Sequence, residues 1–234
     1  MRRLCVKLDR IAGLRQLRDS LEPDPVSAAV VCELNGADSV SVRVRPEQSS
    51  IQPRDIRLLR QMVQTQLNLE VANRQDYLTM AQKYQPDMIT IIPAYQESSV
   101  IHNGIKLNRN LQESITELRK AGNKICLLLD PDPLQIRQAV KLDIQAIEIC
   151  IGNYTLLGSK DEKNKELNNI WKSAELVHQA KMLCAVGHGL DYQNIKSLVK
   201  ITEIREFRIG YALIARAIFT GLDQAVRDLR KIID

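Results

Sequence analysis

The sequence predicts an α/β fold, a (β/α)8 barrel forming one domain over residues 1–234, on two observations. Short apolar runs recur eight times, each followed by a longer segment of helical periodicity, which is the pattern of a parallel sheet with helical crossovers. Eight such units in 234 residues also match the economy of a barrel that typically takes ~250. An open doubly wound sheet is the alternative, but no GxGxxG follows the first run and nothing divides the chain into halves.

The elements follow in order. LCVKLD at 4–9 opens the chain, and PDPVSAAVVCELNGA then reads as a helix, with proline near its start and Asn35-Gly36 as its stop. In SVSVRVR at 39–45, Val40, Val42 and Val44 alternate with Ser41, Arg43 and Arg45, as in a half-buried strand that projects two guanidinium groups from one face. A helix is expected from Gln52, a strand at LNLEVA (67–72), a helix from Arg74, a strand at MITIIPA (88–94) and a helix from Asn108. KICLLLD (124–130) runs into DPDP, a strong breaker, before a helix from Asp132. AIEICIG (146–152), a helix from Asp161, MLCAVGHG (182–189), a helix from Asp191, EFRIGYA (206–212) and a helix from Tyr211 complete the set. Polar stretches at 95–107 and 154–167 follow the fourth and sixth runs, and their length suits either lids or plain surface insertions.

Composition narrows the function classes. A formal net charge of +5 favours anionic partners, yet the Lys and Arg residues are spread along the whole chain. Small phosphorylated ligands fit that distribution. Only 4% of residues are aromatic and none interleave with basic residues to stack bases, so nucleic acid is not an expected partner. The five cysteines form no CxxC pair and the histidines have no metal-ligand spacing; no metal site is expected, and buried free thiols are the plain reading. No signal peptide and no membrane span is expected, which points to a cytoplasmic protein.

Active sites of this fold lie at the carboxyl ends of the strands. Those ends carry Lys7, Asp9 and Arg10; Arg43 and Arg45; Asn68 and Glu70; Asp130; Glu148; His188; and glycine turns at Gly187, Gly189 and Gly210. Two-residue spacing places Lys7 with Asp9, Arg43 with Arg45, and Asn68 with Glu70 on common strand faces. Charges at a desolvated mouth must pair with one another, with a ligand, or with both. Two accounts fit Arg43 and Arg45: an ion-pair layer with Glu70 and Asp9, or a fork that grips phosphate or carboxylate oxygens. Glu70 is either their counter-ion or a general base, and near fixed cations its basicity should fall. Glu148, between Ile147 and Ile149, stands in so apolar a strand that function explains it better than packing. His188 lies in VGHGL, where flanking glycines let backbone approach a ligand, though a loop histidine can equally be structural. Gly210 in IGYALIAR frees backbone N–H groups at a helix start, which with residues 187–189 suggests a phosphate cradle.

The chain resembles the pyridoxine 5′-phosphate synthase (PdxJ) family. The likeness runs through LDRIAGLRQLR, EPDPVSAAVVCELNGAD, RDIRLLRQ, LNLEVA, AIEICIGNY and GHGLDYQNI to IGYALIARAIFTGLDQAV. The resemblance implies a TIM barrel with extra helices, an octamer built of dimers, no metal or organic cofactor, and phosphorylated substrates. The implied reaction condenses 1-deoxy-D-xylulose 5-phosphate with 3-amino-2-oxopropyl phosphate to pyridoxine 5′-phosphate, inorganic phosphate and water. It also implies roles by position: Asp9, Arg18 and Arg45 contact substrate, Glu70 works as an acid-base group, Glu148 stabilises developing charge, His188 donates a proton, and Gly189 and Gly210 cradle phosphate. Several positions depart from the family. Lys7-Leu8-Asp9-Arg10 stands for Asn-x-Asp-His, Arg43-Val44-Arg45 for His-x-Arg, Ser50 and Tyr211 for histidines, and Val100 for a threonine. Arg43 thus takes the place of a catalytic histidine, and a guanidinium cannot accept a proton. A working but divergent synthase, a phosphate-ester-binding barrel without turnover, and aldol-type chemistry on another sugar phosphate are the readings this leaves.

Overall fold

A computed structural model describes residues 1–18, 20–44, 50–94 and 103–234. Eight parallel strands close into a barrel in sequence order, β1 (Arg3–Lys7), β2 (Ser39–Arg43), β3 (Leu67–Ala72), β4 (Met88–Ile92), β5 (Ile125–Leu129), β6 (Ala146–Cys150), β7 (Leu183–Gly187) and β8 (Glu206–Ile209), with β8 pairing back onto β1. Seven of the eight apolar runs contain their strand whole, and the first, 4–9, overlaps β1, which begins one residue earlier at Arg3.

Helices α1 (Asp9–Gln16), α2 (Pro25–Leu34), α3 (Pro53–Met62), α4 (Gln75–Lys83), α5 (Arg109–Lys120), α6 (Pro133–Ala139), α7 (Gly152–Leu156), α8 (Lys160–Gln179), α9 (Ile195–Leu198), α10 (Tyr211–Thr220) and α11 (Leu222–Ile233) occur among the described residues. Their starts follow local chemistry. Asp24, Asn108 and Asp132 accept backbone N–H bonds as N-caps of α2, α5 and α6, and prolines occupy the first turns of α2, α3 and α6. Four of the expected starts, Gln52, Arg74, Asn108 and Asp132, prove to be N-caps.

Three expectations need correction. Asp191 opens a turn and not a helix: its Oδ1 accepts the N–H groups of Gln193 and Asn194 at 2.7 Å each, and helical structure waits until Ile195. The stretch 154–167 is no long loop, because α7 and the Ser159-capped start of α8 fill most of it. Residues 95–102 of the other stretch lie outside the described residues. Finally, β2 is not half-buried, since Ser39 and Ser41 are as enclosed as Val40 and Val42. Closure explains this: one strand face meets the helices and the other meets the barrel axis.

The two faces differ in kind. The outward set, including Leu4, Val6, Leu69, Ile89, Leu127, Ile147, Val186 and Phe207, forms the main apolar core with the helices. The axis is filled by small and polar residues, among them Ser41, Asn68, Thr90, Glu206 and Arg208, and among the described residues Ile92, Leu128 and Cys150 make a small apolar cluster apart from the main core. Asn68 donates to Ser41 Oγ at 3.1 Å and accepts from Thr90 Oγ1 at 2.7 Å, so this polar filling is internally matched. An axis already rich in hydrogen-bonding groups is the floor on which charged groups gather above.

Candidate active site

Register decides who meets at the mouth. Arg43 and Glu70 are paired positions on β2 and β3, and Lys7 ends β1 next to them. Glu70 Oε2 accepts from Arg43 Nη2 at 3.0 Å, while its Oε1 faces Lys7 Nζ in a close ion pair. Lys7 Nζ also reaches Glu148 Oε1 at 3.3 Å across the barrel from β6. The same oxygen lies 3.0 Å from His188 Nδ1, and the other ring nitrogen, Nε2, lies 3.2 Å from Arg43 Nη2. A closed circuit results, Lys7 to Glu70 to Arg43 to His188 to Glu148 and back to Lys7. Beneath it, Arg208 Nη1 holds Glu148 Oε2 at 2.8 Å and Thr90 Oγ1 at 3.0 Å, while its Nε holds Glu206 at 2.7 Å.

Glycine makes room for this circuit. A Cβ on Gly187 would collide with Glu148 Oε1, and one on Gly210 would stand 3.0 Å from Cβ of Lys7. His188 itself sits at φ 65° and Gly189 at φ 98°, a left-handed turn that swings the imidazole back over the mouth. Gln85, Asp143 and Lys181 also have positive φ, so it is the place of His188 at the mouth and not the angle alone that sets it apart.

The charges follow from the contacts. Burial alone would raise Glu70, but Lys7 and Arg43 more than reverse it and bring its carboxyl down to about 2. Glu148 is likewise held well below the usual carboxylate range, burial being overcome by Lys7 and Arg208. His188 is pushed down, by burial first and then by Lys7. These directions fix the protons. An ionised Glu148 can only accept, so His188 Nδ1 donates to it; Arg43 can only donate, so Nε2 accepts. At rest the imidazole is neutral and its free lone pair is capped by a guanidinium.

Glu70, Glu148 and His188 also have the composition of a metal site, with ligand atoms within 4.8 Å of one another. The Lys7 ammonium stands between the two carboxylates, so a divalent ion would have to enter against its charge.

The sequence-derived candidates divide. Glu70, Glu148, His188, Arg43 and Lys7 meet in one circuit. Asp9 does not share a strand face with Lys7, because the strand has ended and Asp9 begins α1; its Oδ1 instead accepts the Arg43 backbone N–H at 2.7 Å, closing the end of β2. Ser50 lies beside it, Oγ 3.5 Å from the Asp9 carbonyl. Arg10 is exposed and stacks over Tyr211, 5.8 Å from the ring centroid, just past the Gly210 turn. Arg18 is exposed beyond α1 and takes no part in the circuit. Arg45 and Val100 lie outside the described residues. Gly189 is exposed above α7, where a Cβ would meet Thr155 at 2.8 Å.

Sequence reasoning misses Arg208. Its strand, EFRI, alternates charged with apolar residues and reads as half-exposed, yet Arg208 is 2% exposed. Only closure of the barrel, which turns Glu206 and Arg208 to the axis, marks it as buried.

The family model described as "Pyridoxal phosphate biosynthesis protein PdxJ" matches residues 4–234. The pyridoxine 5′-phosphate synthase of Synechococcus sp. (strain JA-2-3B'a(2-13)) is 37% identical over 231 residues, covering 97% of each chain. That of Geobacter sp. (strain M21) is 37% identical over 236 residues, covering 100% of this chain and 99% of its own. That of Legionella pneumophila (strain Corby) is also 37% identical and covers 98% and 94%. Among solved structures, phosphoribosyl anthranilate isomerase from Thermotoga maritima superposes with a TM-score of 0.65 at 12% identity, covering 100% of this chain and 98% of that one. The Thermococcus kodakaraensis isomerase gives 0.62 at 10%, with 100% and 99% covered. At such identities the likeness is one of fold alone.

Proposed function

The chain belongs to the PdxJ family, and from that premise we propose that it is a pyridoxine 5′-phosphate synthase of vitamin B6 biosynthesis, condensing 1-deoxy-D-xylulose 5-phosphate with 3-amino-2-oxopropyl phosphate. One observation carries the reading: two buried carboxylates and a neutral imidazole, drawn from β3, β6 and the turn after β7, share a circuit at the carboxyl ends of the strands.

Roles follow from the resting geometry. A carboxylate brought to about 2 is a feeble base, so Glu70 becomes useful when a substrate phosphate competes for Arg43. The same competition uncovers His188 Nε2. His188 therefore accepts a proton before it can donate one, with Glu148 holding Nδ1–H and stabilising the imidazolium that forms. The Gly210 turn, with Arg10 over Tyr211, is the place proposed for a phosphate group, at the N-terminus of α10.

A homo-oligomer, an octamer as in the family, is the proposed assembly. Ile218 at 68% and Phe219 at 88% exposure, at the end of α10, supply apolar surface that an interface would cover. A cytoplasmic location accords with five buried free thiols, and no helix among the described residues is long and apolar enough to cross a membrane. The whole site belongs to one barrel domain.

The test is direct: purified protein given both substrates should release pyridoxine 5′-phosphate and inorganic phosphate. One feature favours a second reading, a barrel that binds phosphate esters without turnover: Lys7 and Arg43 already engage the carboxylates that would move protons. Binding of either phosphate ester with no product, unaffected in Glu70→Gln, would select that reading.

A further inference from the structure

Lys7 is a primary amine at the barrel mouth with its side chain only 11% exposed, flanked by Glu70 on one side and Glu148 on the other. Its stem passes Gly210, the residue whose missing Cβ leaves it space. We propose that Lys7 condenses with the ketone of a ketose phosphate held in the mouth, forming a protonated imine. The inference rests on the proposed function in one respect, that a ketose phosphate enters.

The chemistry balances without any further reactant. The ammonium gives a proton to Glu148 Oε1, the acceptor 3.3 Å away, and the amine lone pair attacks the carbonyl carbon. The carbonyl oxygen takes a proton and leaves as water while the C=N bond forms, so ketone and ammonium become iminium and water. The positive charge stays where it was, between two carboxylates already arranged to hold it. An ammonium offers three N–H donors and the iminium only one, so one carboxylate keeps its hydrogen bond and the other is released as a base beside the activated carbon. His188, 3.0 Å from Glu148 Oε1, extends that proton route. At rest Lys7 is protonated, since Glu148 and Glu70 outweigh the effect of burial; amine is generated only as the substrate arrives. Burial of the amine and of both carboxylates limits the water that would return the imine to ketone.

Borohydride trapping tests this. Native protein is incubated with 1-deoxy-D-xylulose 5-phosphate, reduced with sodium borohydride, digested and mapped by mass spectrometry. The Lys7 peptide should gain the mass of the ketose phosphate less one oxygen, and in Lys7→Arg, which keeps the charge but offers no primary amine, labelling should drop to the level of the surface lysines. Lys7→Gln is the same control should the arginine variant fail to fold by circular dichroism. Calorimetry shows whether the ketose phosphate binds: an unlabelled Lys7 overturns the proposal, with or without binding, as does equal labelling in both proteins. A two-substrate assay on the same preparation separates the two readings. Product without a label removes the imine and leaves the synthase; a label without product sustains the imine and removes the synthase.

Discussion

Two buried ion-pair sites in this protein are built differently. Arg15 on α1 and Asp55 on α3 form a two-pronged pair, 2.9 and 2.6 Å, whose remaining valences are used at once: Asp55 Oδ2 also accepts from Gln52 N at 2.8 Å and Arg15 Nη2 donates to the Ser50 carbonyl at 2.8 Å. That pair joins two helices and completes the capping box of α3. Asp55 is shared as well, but its second cation is the exposed Arg54 of its own helix, 3.1 Å away. At the mouth, each carboxylate is shared among cations from different strands, Glu148 by Lys7 and Arg208, Glu70 by Lys7 and Arg43. Burial is equal, since Asp55, Glu70 and Glu148 are all 0% exposed. What separates a fastening from a site is therefore where the shared cations come from: helices α1 and α3 in one case, three strands converging on the mouth in the other. The Arg15–Asp55 geometry is held by its cap and carbonyl bonds, whereas each carboxylate at the mouth keeps a second cation when a substrate phosphate draws one away.

The sharpest way to break that contrast is to neutralise one acid in each region. Glu148→Gln should reduce turnover by ~10² to 10⁴, the scale of losing a positioned proton-transfer group, in a protein that still folds because Arg208 retains Glu206. Asp55→Ala should behave in the opposite way, costing ~3–5 kcal/mol of unfolding free energy in denaturant titration by stranding Arg15, with the folded fraction keeping its kcat. A smaller effect is expected of Arg43→His. Removing the guanidinium that caps His188 Nε2 and supplying a group able to accept a proton should raise turnover by about tenfold, short of the ~10² to 10⁴ of a fully positioned general base. Unchanged turnover in that variant would place the limit elsewhere.

The smallest effect is on acid stability. Glu70 has its carboxyl lowered from 4.5 to about 2, so the folded state binds this proton less readily than the unfolded state. The stabilisation is complete above about pH 4.5 and is lost as pH falls towards about 2. Glu70→Gln should flatten that part of the acid-unfolding profile, read by circular dichroism, while Asp55 contributes its own unchanged share.

The fold was legible because closure leaves every strand apolar on its helix-facing side, and the eight runs show this directly. The mouth was legible where a charge stands in a run too apolar to need it, as for Glu148, or ends a strand, as for Lys7, Arg43 and Glu70. Arg208 was hidden by the same closure. Alternating EFRI looks half-solvated, and only a barrel axis buries its polar face. Asp9 was misplaced because LCVKLD gives no sign that hydrogen bonding to the neighbouring strands stops at Lys7 and a helix begins at Asp9. The Arg15–Asp55 pair joins residues forty apart on helices whose packing no local pattern specifies.

Most directly, ¹⁵N NMR of the imidazole in the ligand-free protein at pH 6.5 reports the resting state of the mouth. His188 should be neutral there, protonated at Nδ1 alone, as its bonds to Glu148 and Arg43 require. An imidazolium at that pH, or a proton on Nε2, would contradict the charge-balanced circuit from which the catalytic roles are drawn.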